Sequence, residues 1–315
     1  MRMSGNQIKA PDIPAGKKRV CILVTDSGLG GASVLAEIAK GLSNSAWEQV
    51  SLIYFNAWPE PERGYNHFPD MAYRAGVFDN ALRAMAALKP DLILVACNTL
   101  SVIYGHTTFS FETAIPVSGI VDHGVNALER ALKTDPVSRA IIFGTPTTAR
   151  AEVHTRELVK RGISSRRLLT RGCTNLAGKI ERNPFGPEVR QMIKENVKAT
   201  AAGFSHEQGK VLAALCCTHF GYCATEFQDQ MKRIIGPRVE IINPNTEMAR
   251  QVLDACPKKT KGPTPRITIR MMSRVVWDPR RIAAYERLLS PDFPEVAAAL
   301  KNYEYNPGLF KETLK

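Results

Sequence analysis

The sequence predicts an α/β fold in which helices cover mainly parallel sheets. Short apolar runs alternate along the chain with longer stretches whose apolar residues recur at helical spacing. Strands that alternate with helices form βαβ units and hence parallel sheets. A glycine-rich turn follows the first apolar run, and two later runs end in a cysteine. Because loops at the carboxyl ends of parallel strands carry the functional groups of such folds, these three places are the candidate site.

The predicted strands are the apolar runs that end at polar or turn-forming residues. They cover residues 19–25, 50–55, 91–96, 115–120, 139–143, 210–215, 239–242 and 266–272. Helical spacing of apolar residues predicts the helices that connect them. These cover residues 32–40, 71–88, 124–132, 148–161 and 279–289. The proline- and lysine-rich residues 257–265 are predicted to be a linker.

Composition indicates a globular protein of one large domain or two medium ones. The chain has 315 residues, of which 44% are hydrophobic and 23% are charged. No stretch approaches the roughly 18 apolar residues of a membrane span, and residues 1–18 read as a frayed polar arm without an apolar signal segment. Seven cysteines are an odd number, which favours reduced thiols over a disulfide framework. We therefore expect a cytoplasmic protein with no membrane partner.

The formal net charge of +12 is unevenly spread, with a basic cluster at residues 258–281. Such a field attracts anions, which are either nucleic acid or acidic small molecules. No nucleic-acid-binding module accompanies the charge, so nucleic acid is not expected as a partner. A solvated surface explains the charge equally well.

The turn at residues 26–31, Asp-Ser-Gly-Leu-Gly-Gly, opens a predicted helix. Its backbone N–H groups could approach an anion closely, with help from the helix dipole. The dinucleotide pattern would need a glycine where Ser33 stands, and the phosphate-loop pattern would need a lysine followed by Ser or Thr. A carboxylate-binding loop fits better, with a plain tight turn as the alternative.

Cys97 and Cys217 each stand where a predicted buried strand meets a loop. Taken alone, each is compatible with a small buried hydrophobic residue. His219, two positions after Cys217, could exchange a proton with that thiol. Cys216, Cys217, His219 and Cys223 could instead hold a metal, but the spacing lacks a second CxxC-like arm. We therefore predict no metal site.

Three motifs in order resemble the signature set of the glutamate racemases, in the aspartate/glutamate racemase family. They are Asp26-Ser27-Gly28, Cys97-Asn98-Thr99 and Cys217-Thr218-His219. The segment Gly144-Thr145-Pro146-Thr147-Thr148 resembles the threonine segment that the family carries between its cysteine motifs. The resemblance extends from about residue 19 to about residue 300. Each motif alone is weak, whereas the ordered set is specific.

The sequence departs from the family pattern around the substrate. After its second strand the family carries Pro-Tyr-Gly, where this chain has Glu62-Arg63-Gly64. The family's Gly-Cys-Thr-His-Tyr-Pro appears as Cys-Cys-Thr-His-Phe-Gly over residues 216–221, and its later aspartate is Asn243. The cysteine chemistry is therefore kept, while the wall that reads the substrate differs.

The resemblance implies a cofactor-independent racemase that uses neither pyridoxal phosphate nor a metal. It implies that Cys97 and Cys217 move the α-proton of glutamate and that Asp26 and His219 assist them. The substrate would be held by Ser27, Asn98, Thr99, Thr145, Thr148 and Thr218. From the departing segment we add Gly64 and Arg63, which could pair with a substrate carboxylate or be a solvated loop arginine.

The resemblance also implies two similar α/β lobes with the active site in the cleft between them. The first lobe would join residues 1–116 to 243–315, and the second would take residues 117–242. The expected partner is a small amino acid, and a homodimer is compatible with the family. Two alternatives stay open: an isomerase or racemase acting on aspartate or another acidic substrate, and a basic binding protein that has lost catalysis.

Overall fold

The computed structural model describes residues 16–61, 63–201, 209–259 and 262–311. The predicted N-terminal arm therefore lies outside the described residues except for Gly16, Lys17 and Lys18, and so do two residues of the predicted linker. By its internal contacts the chain divides into two compact units. Unit 1 contains the described residues of Met1–Ile120 and Met248–Lys315, and unit 2 is Val121–Glu247. The lobe boundaries expected from the resemblance lie near these divisions and stay a prediction.

The strands and helices alternate along most of the chain. The strands are β1 (Arg19–Asp26), β2 (Gln49–Asn56), β3 (Leu92–Val95), β4 (Val117–Gly119), β5 (Arg139–Gly144), β6 (Leu168–Gly172), β7 (Val211–Cys216), β8 (Val239–Ile242), β9 (Arg266–Ser273) and β10 (Glu304–Tyr305). The helices are α1 (Ala32–Gly41), α2 (Met71–Ala87), α3 (Asn98–Tyr104), α4 (Phe109–Glu112), α5 (Ile120–Thr134), α6 (Pro146–Ala151), α7 (Val153–Lys160), α8 (Leu176–Arg182), α9 (Pro187–Ala201), α10 (Ala224–Ile234), α11 (Pro244–Ala255), α12 (Pro279–Leu289) and α13 (Pro294–Lys301).

In unit 1 the described strands form a six-stranded sheet with the order β10-β9-β2-β1-β3-β4. Every strand pair in this sheet is parallel. The central strands are apolar on both faces, as strands covered by helices must be. Residues of α2 and α3, among them Phe78, Leu82 and Leu100, pack with strand residues such as Ile53 and Ile93 in one buried cluster.

In unit 2 the described strands form a four-stranded parallel sheet with the order β6-β5-β7-β8. Its core joins strand residues such as Ile141 and Leu215 to Ile193 of α9 and Phe227 of α10. The Phe143 and Phe227 rings lie 5.2 Å apart. The predicted α/β class with mainly parallel sheets is therefore confirmed, and within each sheet the carboxyl ends of the strands lie at the same edge.

The structure corrects several predicted elements. The predicted helix at residues 148–161 is wrong as a single element, because α6 and α7 are separated at Glu152, whose backbone is left-handed (φ 48°). Of the strand expected at residues 115–120, only residues 117–119 form a strand, which is β4. Ile120 is already the first residue of α5. No prediction covered β6, α8 or α9, because every residue of β6 is only partly buried and α8 and α9 bury only some of their residues.

In the part of the chain that the structure describes, no helix has both the length and the apolar character needed to cross a bilayer. All seven cysteines are free thiols. The described residues also contain no cluster of three or more His, Cys, Asp or Glu side chains arranged to hold a metal ion.

Candidate active site

In unit 1 the candidate residues meet at the carboxyl edge of the sheet. The register places Asp26 of β1 beside Asn56 of β2, and Thr25 beside Val95 of β3. Ser27 and Cys97 follow β1 and β3, so neighbouring strands deliver both to one place. The structure thus brings the first two motifs together, although they lie about seventy residues apart in the chain.

Cys97 is buried (5% exposed) and precedes the first turn of α3. Its Sγ lies 3.3 Å from the Ser27 Oγ, a hydrogen bond in which either atom can donate. Burial raises the pKa of the Cys97 thiol, and the nearby Asp26 carboxylate raises it further. Hydrogen bonds from Ser27 and from the backbone of Leu100 oppose the shift without cancelling it. Cys97 therefore keeps its proton in the neutral pH range.

Asp26 is completely buried at the end of β1. A Cβ added at Gly31 would lie 3.0 Å from both Cβ and Oδ2 of Asp26. The last glycine of the turn is therefore needed so that the start of α1 can approach this carboxylate closely. The glycine-rich turn thus has a packing reason in addition to the anion-binding role predicted for it.

The glycine-rich turn is also held by two side chains of β2. The Gly28 carbonyl accepts hydrogen bonds from the Tyr54 hydroxyl (2.6 Å) and from the Asn56 side-chain amide (2.9 Å). Sequence reasoning missed both residues. Asn56 lies one position beyond the strand predicted at residues 50–55, whereas it is the last residue of β2. An asparagine at the end of an apolar run was the only signal in the sequence.

Asn98 and Thr99 are buried in the first turn of α3, at 1% and 3% exposure. In the described part of the chain, neither the Oδ1 nor the Nδ2 of Asn98 has a hydrogen-bond partner. Burying a polar amide without partners costs free energy, so native chains keep such groups for a reason. An amide that offers both a donor and acceptor fits a polar ligand beside Cys97.

Arg63 and Gly64 are placed differently from each other. The Arg63 side chain is 58% exposed and bonds to Glu60 at 2.9 and 3.1 Å. Its guanidinium also lies 5.8 Å from the centre of the Phe68 ring. A Cβ at Gly64 would lie only 2.7 Å from the Trp58 ring, so glycine is required there for packing. The substrate-binding roles of both residues stay predictions, and Arg63 already has a partner of its own.

In unit 2, Cys217 follows β7 and is buried (5% exposed). Its Sγ lies 3.9 Å from Nδ1 of His219, and the Nε2 of that imidazole pairs with Glu181 of α8. Burial alone would lower the pKa of His219, but Glu181 and Cys217 outweigh it and hold this pKa well above its usual value. The raised pKa favours the charged form of the His219 ring, which places a proton donor beside Cys217.

Sequence reasoning did not single out Glu181, although it is 6% exposed and completes this group. It lies 38 positions before His219. The only local signal was an acidic residue next to the apolar Ile180 in a short amphipathic stretch. A carboxylate in that position is usually solvated, and only the fold shows that it is buried against an imidazole.

The threonines predicted to bind substrate lie at the starts of helices. Thr145 caps α6, and its Oγ1 lies 3.1 Å from the Oγ1 of Thr148 and accepts a hydrogen bond from the Thr148 N–H. The Thr218 carbonyl accepts a hydrogen bond from the side chain of Asn245 (2.9 Å). All three threonines are at most 5% exposed.

The family departures in unit 2 form one packed corner. The Asn243 side chain accepts from the Asn245 N–H (3.1 Å) at the start of α11. A Cβ at Gly221 would lie 3.0 Å from Nδ2 of Asn245. A proline at position 221 would therefore press on Asn245. The departures at positions 221 and 243 are compatible with each other because both residues contact Asn245.

The other buried thiols of unit 2 are held neutral. Burial and the charge of Cys217 raise the pKa of Cys216. Burial raises the pKa of Cys173 to about 12, with Arg171 opposing and Cys217 adding to the shift. These thiols behave as apolar packing around Cys217, so the company of His219 distinguishes Cys217 from its neighbours.

Comparisons with known proteins agree with this geometry. The family model described as Asp/Glu/Hydantoin racemase matches residues 22–268. The chain is 28% identical to a glutamate racemase from Shewanella baltica over 232 residues, which are 74% of this chain and 77% of that protein. It is also 28% identical to one from Vibrio cholerae over 241 residues, 73% of this chain and 78% of that protein.

Solved structures show the same fold. The glutamate racemase from Bacillus anthracis matches with a TM-score of 0.66 at 19% identity, covering 92% of this chain and 96% of that one. The enzyme from Francisella tularensis, solved with D-glutamate, matches with a TM-score of 0.62 at 17% identity, covering 87% and 94%.

Proposed function

The chain belongs to the Asp/Glu/Hydantoin racemase family, and we propose that it interconverts L- and D-glutamate by moving the α-proton between Cys97 and Cys217. The observation that carries the proposal is the matched placement of two buried cysteines, each within two residues of the end of a parallel strand, with Asp26 near Cys97 and His219 near Cys217. The glutamate racemases similar to this chain support the choice of substrate.

The proposed reaction follows from the different surroundings of the two thiols. Removal of the α-hydrogen needs a base on one face of the substrate, and inversion needs an acid on the other. Cys217, with the His219 ring beside it, would take the proton as the base. Cys97, whose pKa is raised, would deliver its proton to the carbanion. The reverse reaction exchanges the two roles, and the two thiols alone account for the proton transfer without a cofactor.

The negative charge that develops on the substrate needs hydrogen-bond donors aimed at its carboxylate. We propose that Ser27, Asn98, Thr99, Thr145, Thr148 and Thr218 hold the amino acid. The unpartnered amide of Asn98 supports this role in unit 1. Asp26 and His219 would assist Cys97 and Cys217, with Glu181 keeping His219 charged.

A second candidate is racemisation of aspartate or another acidic substrate. It is favoured by the departing segment, because Glu62-Arg63-Gly64 stands where the family has Pro-Tyr-Gly and because Arg63 bonds to Glu60. Activity on aspartate without activity on glutamate would select this candidate.

Hydrogen exchange tests the proposal directly. Purified protein incubated with L- or D-glutamate in D2O should exchange the α-hydrogen and form the other enantiomer, as followed by NMR and polarimetry. Cys97→Ala and Cys217→Ala should each lower racemisation by about 10³-fold or more, since each removes an essential acid or base. Cys256→Ala removes a buried thiol outside the site and is the matched control. A folded protein that exchanges no α-hydrogen on glutamate, aspartate or any other amino acid tried would refute the racemase.

The mechanism also makes a geometric demand. Two sulfurs that share one α-carbon should lie roughly 7–8 Å apart, from contacts near hydrogen-bond length on each side. A crystal structure with bound amino acid would measure this distance. We propose further that the enzyme works in a reducing compartment such as the cytoplasm, because its chemistry needs both thiols reduced.

A further inference from the structure

Asn56, the last residue of β2, carries a buried amide that the proposed mechanism does not use. Its side chain is completely buried. The Nδ2 donates to the Gly28 carbonyl at 2.9 Å, and the Oδ1 accepts from the Trp58 N–H at 2.9 Å. One bond reaches the glycine-rich turn after β1, and the other reaches the start of the segment that departs from the family pattern. A single side chain therefore ties both segments to the end of β2.

The glycine-rich turn needs a restraint from outside itself. Three of the four residues at positions 28–31 are glycine. Glycine has more backbone freedom than any other residue, so the turn that lets Gly31 approach closely is weakly restrained by its own residues. The Gly28 carbonyl is held by the Tyr54 hydroxyl at 2.6 Å and by the Asn56 amide at 2.9 Å. Two side chains of β2 therefore fix the turn.

Ser27 stands between two carbonyls that the end of β2 holds. The carbonyl before it accepts from the Ala57 N–H at 2.8 Å, and the carbonyl after it is the one that Asn56 holds. The Ser27 Oγ lies 3.3 Å from the Cys97 Sγ. Burial and then Asp26 raise the pKa of Cys97, whereas the hydroxyl and the backbone N–H of Ser27 both act to lower it. The position of Ser27 therefore bears directly on this thiol.

The second bond of Asn56 extends the same restraint to the departing segment. It fixes the backbone of Trp58, whose ring packs against Gly64 so closely that a Cβ there would lie 2.7 Å away. Only a side chain with both a donor and an acceptor can make the two bonds. A carboxylate at position 56 could accept from Trp58 but could not donate to the carbonyl of the turn.

We propose that Asn56 is a positioning residue for Cys97 that acts through Ser27. Its amide holds the chain after Ser27 so that the hydroxyl and the N–H of this serine remain on the Cys97 sulfur when the thiol loses its proton. Hydrogen-bond donors to a thiolate lower the cost of forming that charge in a buried place. The catalytic consequence rests on the proposed racemisation, whereas the effect on the reactivity of Cys97 does not.

The first test is the reactivity of Cys97 in Asn56→Ala. Iodoacetamide reacts with the thiolate, and peptide mass spectrometry on the full chain reads Cys97 separately from the other cysteines. At pH 8.5 we expect Cys97 to react about tenfold more slowly than in the wild type, as the loss of a hydrogen bond to a charged group implies. Asn80→Ala removes an amide that donates to the Lys311 carbonyl at 3.1 Å elsewhere in unit 1, and it should leave the rate unchanged.

A double-variant cycle separates positioning from a general loosening of the fold. If Asn56 acts through Ser27, Asn56→Ala introduced into Ser27→Ala should slow Cys97 by less than about twofold, because the two substitutions remove the same interaction. Equal effects of Asn56→Ala in both backgrounds would overturn the inference. So would a Cys97 that reacts as fast as in the wild type or faster in folded Asn56→Ala.

Isotope effects give the matching kinetic signature in racemisation. With α-deuterated L- and D-glutamate, Asn56→Ala should raise the isotope effect for the enantiomer whose hydrogen Cys97 removes. It should lower the isotope effect for the other enantiomer, because only the Cys97 step has become slower. A smaller amount of folded enzyme lowers kcat without moving either isotope effect, and unchanged isotope effects would contradict the catalytic part of the inference.

Tyr54→Phe keeps the inference testable if Asn56→Ala does not fold. It removes the other bond to the Gly28 carbonyl and keeps the ring, so Cys97 should react about threefold more slowly. An unchanged Cys97 rate in this variant would then overturn the inference. If Cys97 slows as expected while the wild type exchanges no α-hydrogen, the positioning role stands and the proposed racemase fails.

Discussion

The pKa of the imidazole beside Cys217 is raised by a buried carboxylate as well as by Cys217 itself. His219 is buried, and burial by itself would favour the neutral ring. Glu181, also buried, pairs with its Nε2 and reverses that preference. Cys97 has no such cation among the groups that shift its pKa, where Asp26 acts in the opposite sense. The two thiols therefore have neighbours of opposite charge, a carboxylate at Cys97 and an imidazole at Cys217.

Glu181→Gln should remove this support while preserving shape. The pKa of His219 should fall, because burial then acts with less opposition, and the imidazolium should be lost at lower pH than in the wild type. We expect kcat to drop about 10- to 100-fold, with its alkaline limb moved to lower pH. Titration of the His219 ring nitrogens by NMR measures the pKa directly. Glu247→Gln, a buried carboxylate paired with Arg130 elsewhere in unit 2, is the control and should leave the His219 titration unchanged.

At the scale of elements, the junction of α6 and α7 shows how one backbone conformation redirects a chain. The apolar spacing predicted one helix, but Glu152 adopts a left-handed conformation (φ 48°) that ends α6 and begins α7. Left-handed geometry is unfavourable for residues with a Cβ. The turn keeps Thr145 and Thr148 at the start of a short separate helix, beside the ends of β5 and β6.

Glu152→Gly should therefore stabilise the chain. Glycine adopts this conformation without the steric cost, and the gain should exceed its larger loss of chain entropy by about 0.5–1 kcal/mol. Urea unfolding gives the change in free energy. The matched control is Ala151→Gly, one residue earlier in right-handed helix, which should destabilise by about 1 kcal/mol. Equal destabilisation by both substitutions would contradict the explanation.

At the scale of the whole molecule, acid stability depends on buried groups whose pKa values shift in opposite senses. Burial lowers the pKa of His154 to about 4, and its Nε2 has no partner within the described residues. Burial raises the pKa of Asp122 to about 6, with Arg161 opposing and Glu157 adding to the shift. The unfolded chain binds more protons at His154 between about pH 6.5 and 4, whereas the folded chain binds more at Asp122 between about pH 4 and 6.

His154→Gln isolates one of these contributions. As pH falls from 7 to 5, the wild type should lose about 2 kcal/mol of stability relative to the variant, because only its unfolded state gains the histidine proton. Urea unfolding at both pH values measures this difference. Above pH 7 the difference should stay constant, and a difference that also stays constant down to pH 5 would show that His154 is not held neutral.

The charge of the basic segment at residues 258–281 is a second property of the whole molecule. The fold shows which of these basic side chains have partners within the chain. Arg270 forms two bonds of 2.7 Å with Glu304, and Lys258 donates to the Leu253 carbonyl. The Glu304 carboxylate offsets the charge of Arg270, whereas the uncharged Leu253 carbonyl holds Lys258 without neutralising it. A net charge counted from the sequence cannot include such pairing, because it depends on which segments become neighbours.

The sequence by itself determined the α/β class and the place of both cysteines. Apolar runs such as those ending at Cys97 and Cys217 are local patterns, and a run of buried residues that stops at a polar loop is a strand end in any parallel sheet. The glycines after Asp26 are also a local pattern, since a close approach of the backbone to a side chain needs a residue without a Cβ.

Only the tertiary structure decided which side chains surround those thiols. Glu181 beside His219, Tyr54 and Asn56 on the Gly28 carbonyl, and Tyr65 in the cluster of Cys97 come from segments far apart in sequence. Arg63, predicted to bind a substrate carboxylate, bonds to Glu60 three residues before it, and its substrate-binding role stays a prediction. Periodicity reports how each segment is buried, but the partner of a polar group depends on the packing of distant segments, which no local pattern encodes.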